Sequence, residues 1–142
     1  MSEPQTELLF GAAAAAERGA ILEHLDTYNG LRGAPANAQP ICIAIRGDQQ
    51  SIAGGLYGMM LYDWLAIELL FVPEHLRGTG LGSRLMGEAE QQAKSSGCIG
   101  AWLDTFSFQA RGFYEKLGYS LAGTIADHPI GGARYFLTRR WG

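Results

Sequence analysis

The stretch Trp64-Leu65-Ala66-Ile67-Glu68-Leu69-Leu70-Phe71-Val72-Pro73, with Arg77-Gly78-Thr79-Gly80-Leu81-Gly82-Ser83 just behind it, decides how this chain folds. Residues 64–72 are almost continuously apolar, as expected of a strand covered on both faces. Pro73 has no amide proton to give a ladder, so pairing stops there. Beyond the glycines, Leu81, Leu85, Met86, Ala89 and Ala93 recur at helical spacing. Three glycines within residues 78–82 let the backbone turn tightly and let a ligand approach without Cβ interference. The helix that opens there directs unpaired N–H groups, and about half a positive charge, at whatever fills the loop. Strand, loop and helix start thus make an anion site suited to phosphate or pyrophosphate.

Two familiar phosphate motifs fail on these residues. The nucleotidase loop requires a lysine after its last glycine, and none follows here; the dinucleotide fingerprint requires a third glycine where Ser83 or Leu85 stands. The remaining pattern, R-G-x-G-L-G behind a buried strand, resembles the acetyl-CoA pyrophosphate loop of the GNAT superfamily of N-acyltransferases.

Composition bounds the rest. A chain of 142 residues fits one domain, 1–142, and buries roughly two thirds of its unfolded surface. Hydrophobic residues at 47% and charged residues at 18% are the balance of a soluble globular protein. A net charge of −3 with no basic stripe argues against nucleic acid as a partner. Cys42 and Cys98 lie in apolar, strand-like contexts and read as reduced core residues of a cytoplasmic protein. The apolar run 52–72 is interrupted by Gly54, Gly55, Gly58, Asp63 and Glu68, so it fits two strands and a turn better than a membrane span.

From the start, 6–10 is a short strand candidate. Residues 12–28 are helical, with Ile21, Leu22 and Leu25 on one face and Asn29-Gly30 as the stop. Residues 41–46, 51–61 and 64–72 make an antiparallel meander that ends at the glycine loop. The helix from about Gly80 ends near Gly97, and 98–104 is a strand expected to run parallel to 64–72 through a right-handed crossover. Phe106, Ala110, Phe113 and Leu117 mark a second amphipathic helix, capped by Gly118. Two closing strands occupy 119–126 and 133–139. The result is an α/β (α+β) fold with a mixed, mostly antiparallel sheet of six to seven strands flanked by helices.

That element order is the GNAT order, and a second local match reinforces it. The segment from Asp104 to Tyr119 is similar to the superfamily's later motif, in which an alanine, here Ala110, precedes by four residues the tyrosine of F-Y-E-K-L-G-[FY]. The resemblance spans about 6–140. It implies acetyl transfer from acetyl-CoA, as cosubstrate, directly to an amine, and a parallel strand pair splayed at the cofactor site. The cradle it implies consists of backbone amides of Arg77, Gly78, Thr79, Gly80, Leu81, Gly82 and Ser83. The pantetheine arm pairs with the strand end at Leu70, Phe71 and Val72, and an amide near Leu70 polarises the thioester carbonyl.

Glu68 stands out in the residues themselves. A carboxylate inside an apolar strand costs several kcal/mol unless paired or protonated, and strand alternation places it on a face with Ala66 and Leu70 unless a bulge shifts the register. It is either a sheet-edge carboxylate bonded to a neighbour or, as the resemblance implies from its spacing to the loop, the base that activates the amine. Tyr114 lies one residue off the apolar face of its helix. It is either a boundary tyrosine packing its ring or, by the resemblance, the acid that protonates the departing thiolate. Ser107 departs from the family pattern, where many relatives carry an asparagine that contacts the cofactor. A serine there bonds the cofactor differently, loses the contact or caps the helix.

Other side chains carry less. His24, His75 and His128 have no ligand spacing, so no metal site is expected. Arg84 and Arg111 could reach phosphates, although exposed helix arginines usually face water. Tyr57, Met59, Met60, Tyr62 and Trp64 form either an acceptor pocket or plain core, and Asp63, Asp104 and Asp127 are weak candidates for a cationic acceptor. The expected partner is a small-molecule amine, with no nucleic acid or membrane and with room for a homodimer. Protein or peptide acetylation, or a non-catalytic acyl-CoA sensor of the same fold, are the alternatives.

Overall fold

The computed structural model describes residues 3–33 and 35–142, and the chain divides into two compact units, Met1–Ala36 and Asn37–Gly142. The first unit holds one helix, α1 (Ala12–Arg32), closed by Gly33, whose amide donates to the carbonyl of Asn29 at 2.9 Å. Asn29-Gly30 therefore does not stop it; the helix runs through both, despite glycine's low helix propensity, and ends at Arg32 before Gly33. Residues 6–10 form no strand, which leaves the sheet at six strands.

The second unit contains that sheet: β1 (Gln39–Arg46), β2 (Ile52–Leu61), β3 (Trp64–Phe71), β4 (Gly100–Phe106), β5 (Ser120–Ala126) and β6 (Ala133–Arg140), in the order β1-β2-β3-β4-β6-β5. Only β3 and β4 run parallel; every other pair is antiparallel. Between them the chain forms α2 (Leu81–Ser95), and α3 (Arg111–Lys116) follows β4. The second amphipathic helix is thus much shorter than its pattern suggests. Phe106 ends β4, and the segment 107–110 turns before the helix begins, so part of the helical spacing was a coincidence of strand and turn. Gly118 does cap α3, at φ +98°, a left-handed conformation that favours glycine.

Leu85, Met86, Ala89 and Ala93 of α2 pack on Leu56, Leu65, Ile67, Leu103 and Leu137 of the sheet. Cys98 belongs to this core, whereas Cys42 on the edge strand β1 is exposed, contrary to its expected burial. No described helix is long and apolar enough to cross a membrane.

One polar network crosses the core. Glu90, 6% exposed on α2, accepts from the Tyr119 hydroxyl at 2.6 Å and pairs with Arg139 at 2.8 Å. Burial, then the bond to Glu90, pushes the Tyr119 hydroxyl far above the ordinary phenol range. Removing the shared acceptor strands two donors, so Glu90→Ala should cost about 2–3 kcal/mol and lower the melting temperature by about 6–12 °C. Because the folded value for Tyr119 lies above the unfolded one of about 10, its contribution is complete below that pH and is lost as pH rises beyond it. Thermal melts should therefore show an alkaline loss of stability that Tyr119→Phe reduces.

Candidate active site

The site begins with a mismatch in β3. On one side, Tyr57 pairs with Leu69 while the next residue, Gly58, pairs with Ile67, so Glu68 is the extra residue of a bulge. A Cβ at Gly58 would lie 2.6 Å from the Ala66 carbonyl oxygen, which explains why glycine sits opposite the irregularity. The bulge shifts the strand's faces by one: Leu65 and Ile67 are buried before it, and Leu70 and Val72 pack on the core after it. Glu68 consequently does not alternate in step with Leu70, and it is exposed. The desolvation expected for a carboxylate in this strand is absent, because the bulge turns the residue out of the core.

On its other side β3 pairs with β4 only from Trp64↔Gly100 to Ile67↔Leu103. Beyond this point β4 stays with β6 as far as Phe106↔Arg134, while β3 continues with β2. The two central strands splay, and Glu68 to Phe71 present an edge with no strand partner on the β4 side. A groove of about 940 Å³ opens between them, lined by β3 from Ile67 to Phe71 and by Val72 just after it, by the glycine loop, by Asp104, Thr105 and Phe106, and by Gln109, Phe113 and Tyr114.

The glycine loop forms the floor at one end. Gly78 and Gly80 sit at φ +77° and +83°, and a Cβ on either would meet nothing within 4 Å, so the space above them is open. Among the described residues, the amides from Gly78 to Ser83 donate to no protein acceptor; the first bonded one is Arg84, to the Gly80 carbonyl at 3.0 Å. The side chains of the loop are turned to its own support. Arg77 Nε donates to the Val72 carbonyl at 2.8 Å, and Thr79 Oγ1 donates to that of Leu76 at 2.6 Å. Gly82 is needed for contact, since a Cβ there would come 3.2 Å from the Phe113 ring. Free amides at the start of a fifteen-residue helix make an anion cradle of backbone groups.

At the groove's other wall, Tyr114 packs partly into the core, with its ring edge-on to Phe113 at 5.1 Å. Its hydroxyl forms no hydrogen bond among the described residues. Burial raises its proton affinity above the usual phenol value, and the nearby Asp104 carboxylate adds to the effect. Asp104 itself is held by a two-pronged contact with Arg134, Nε to Oδ1 at 2.9 Å and Nη2 to Oδ2 at 2.7 Å.

Two of the expected cofactor-binding residues, Thr79 and Ser107, are not among those lining the groove, and Ser107 is placed apart from the glycine loop as well. It does not line the groove; its hydroxyl accepts from the Ala133 amide at 3.0 Å and ties the end of β4 to the start of β6. Nor does it cap α3, whose first turn follows Ala110 without any side-chain cap. The polar side chain that this segment does bring to the groove is Gln109, whose Oε1 accepts from the Phe106 amide at 2.8 Å. Nothing in the sequence marks Gln109, because its place depends on the tight turn after β4. None of Tyr57, Met59, Met60, Tyr62 and Trp64 lines the groove: Met60 is core, and the Trp64 ring lies over Gly100 at the opposite end of β3. Neither cysteine lines it either.

Comparison with known proteins agrees with this geometry. The family model described as the acetyltransferase (GNAT) family matches residues 12–119. The chain is 45% identical over 94 residues to a blasticidin-S acetyltransferase of Streptomyces morookaense, covering 66% of this chain and 69% of that protein. It is 37% identical over 130 residues to an acetyltransferase of Agrobacterium fabrum, covering 92% and 94% respectively. A crystal structure of a candidate acetyltransferase from Agrobacterium tumefaciens superposes with a TM-score of 0.85 at 33% identity, over 99% of this chain and all (100%) of that one. A splayed parallel pair, an amide cradle at a helix start and a family match over most of the chain lead to one conclusion: this protein belongs to the GNAT acetyltransferase family.

Proposed function

We propose that residues 1–142 act as one N-acetyltransferase domain that moves the acetyl group of acetyl-CoA directly to the amine of a small molecule. The observation that carries this reading is the groove. One opening between β3 and β4 joins a free amide cradle, an unpaired strand edge, an exposed carboxylate and a protonated tyrosine. The name of one relative, a blasticidin-S acetyltransferase, supports a small-molecule acceptor.

In this reading the amides of Gly78–Ser83 hold the pyrophosphate, and the edge from Leu70 to Val72 pairs with the pantetheine amides. An amide near Leu70 receives the negative charge that develops on the thioester oxygen. Glu68 takes one proton from the ammonium, which frees the nitrogen lone pair to attack the carbonyl carbon. The new C–N bond forms, the C–S bond breaks, and Tyr114 gives its proton to the leaving sulfur. The second proton lost from nitrogen restores Tyr114, so the products are the amide, the free thiol and one proton on Glu68. Ser107 acts on the cofactor only through the loop it anchors, and Gln109 is the polar side chain beside the arm.

Thiol release from acetyl-CoA, followed with a panel of amines and peptides, tests the reading. Release with a small amine is expected. Cofactor binding without release from any acceptor would identify a sensor, and release with peptides alone would identify a protein acetyltransferase.

A further inference from the structure

The free charges and rings of the groove define the acceptor more narrowly than the family does, and this inference rests on the acetyltransferase reading above. Three charged side chains line the groove: Glu68, Arg77 and Asp104. Asp104 is fully engaged by the two-pronged contact with Arg134, and Arg77 is a cation tied to the end of β3. Glu68 is thus the only lining carboxylate without a basic partner among the described residues. A site with one free anion and a resident cation can neutralise one ammonium, and it penalises each further positive charge on the acceptor.

Part of the groove's lining is apolar and unusually bare. Phe108 is 73% exposed and Leu69 66% exposed, although both line the groove. The Phe108 ring lies parallel to that of Phe106, within 4°, at a centroid separation of 5.5 Å. Phe106 is in turn fixed by the Arg134 guanidinium over its face at 5.2 Å and by the edge of His128 at 5.3 Å. One ring is therefore held and the other stands free beside it, a platform that a flat ring can cover. Exposed apolar groups gathered at a groove mark a contact surface.

The geometry points to a monoamine carrying a planar ring as the acceptor, its ammonium at Glu68 and its ring on the Phe106–Phe108 platform. A flat ring is also present in the adenine of the cofactor, and the experiment separates the two. Calorimetric titration of the full chain, with coenzyme A present, would compare 2-phenylethylamine, n-hexylamine and spermidine. The ring amine is expected to bind about tenfold tighter than either of the others, and Phe108→Ala, at an exposed position, should remove that preference while leaving the affinity for coenzyme A in place. Equal or tighter binding of spermidine or hexylamine overturns the inference. So does a Phe108→Ala variant that loses affinity for coenzyme A but keeps it for the ring amine, because the platform then serves adenine. Thiol release with the same amines keeps the two readings apart. A ring preference in binding with no release defeats the transferase reading alone, whereas release at equal rates from all three defeats only the ring-amine assignment.

Discussion

Replacing Tyr114 with phenylalanine should lower kcat by about 100-fold or more, the usual scale for removing a positioned acid, with little change in melting temperature or in the affinity for acetyl-CoA. The structural reason is that the hydroxyl is the only part of the residue not already used. The ring packs on Phe113 and the core, whereas the hydroxyl has no hydrogen-bond partner, so its removal leaves no stranded group. Steady-state kinetics beside a thermal melt would separate chemistry from folding. The pH dependence follows from the direction of the shift. A tyrosine acid works while protonated, and burial together with Asp104 keeps Tyr114 protonated above the ordinary phenol range of about 10. Activity should therefore persist on the alkaline side until that raised value is passed. Asp104→Asn removes the carboxylate's share, so the alkaline limb of the kcat profile should move to lower pH. A Tyr114→Phe enzyme with full kcat would mean that the thiolate takes its proton from water.

The part of this site that depends on local order was legible in the residues. Pro73, the glycines at 78, 80 and 82 and the apolar spacing of α2 specify strand, loop and helix within twenty residues of one another, and the structure has all three in register. What was not legible depends on partners far along the chain. The residues leave room for a bulge in β3, but its place at Glu68 is set by where Gly58, on the neighbouring strand, meets β3. That is why Glu68 was expected to be costly to bury and is instead exposed. Glu90 reads as one more helix charge until Tyr119 and Arg139, 29 and 49 residues later, close over it. Ser107 is similar, since its partner Ala133 lies 26 residues on, across the β5–β6 hairpin. The length of α3 failed for a different reason. Phe106 and Ala110 satisfy a helical period by chance, and nothing in periodicity distinguishes the last residue of a strand from the first turn of a helix.

The exposed bulge changes what should be expected of Glu68, the second residue on which turnover should depend strongly. Since it is solvent-facing and has no side-chain partner among the described residues, Glu68→Gln should leave the fold and the melting temperature unaltered. Its effect belongs to the amine. At the acid end of the profile almost every acceptor molecule is an ammonium, and attack must wait for a base; there kcat/KM should fall by about 100-fold. As the pH approaches the acceptor's own pKa, free amine arrives from solution and the deficit should shrink towards nothing. A different role gives a different curve. If Glu68 only attracts a cation, the variant raises KM for the amine at every pH at which the amine is charged and leaves kcat alone, because an attraction acts on the ground state and the transition state alike. Measuring kcat and KM separately across pH therefore tells proton removal from charge attraction, and an undiminished enzyme at every pH would leave Glu68 with neither role.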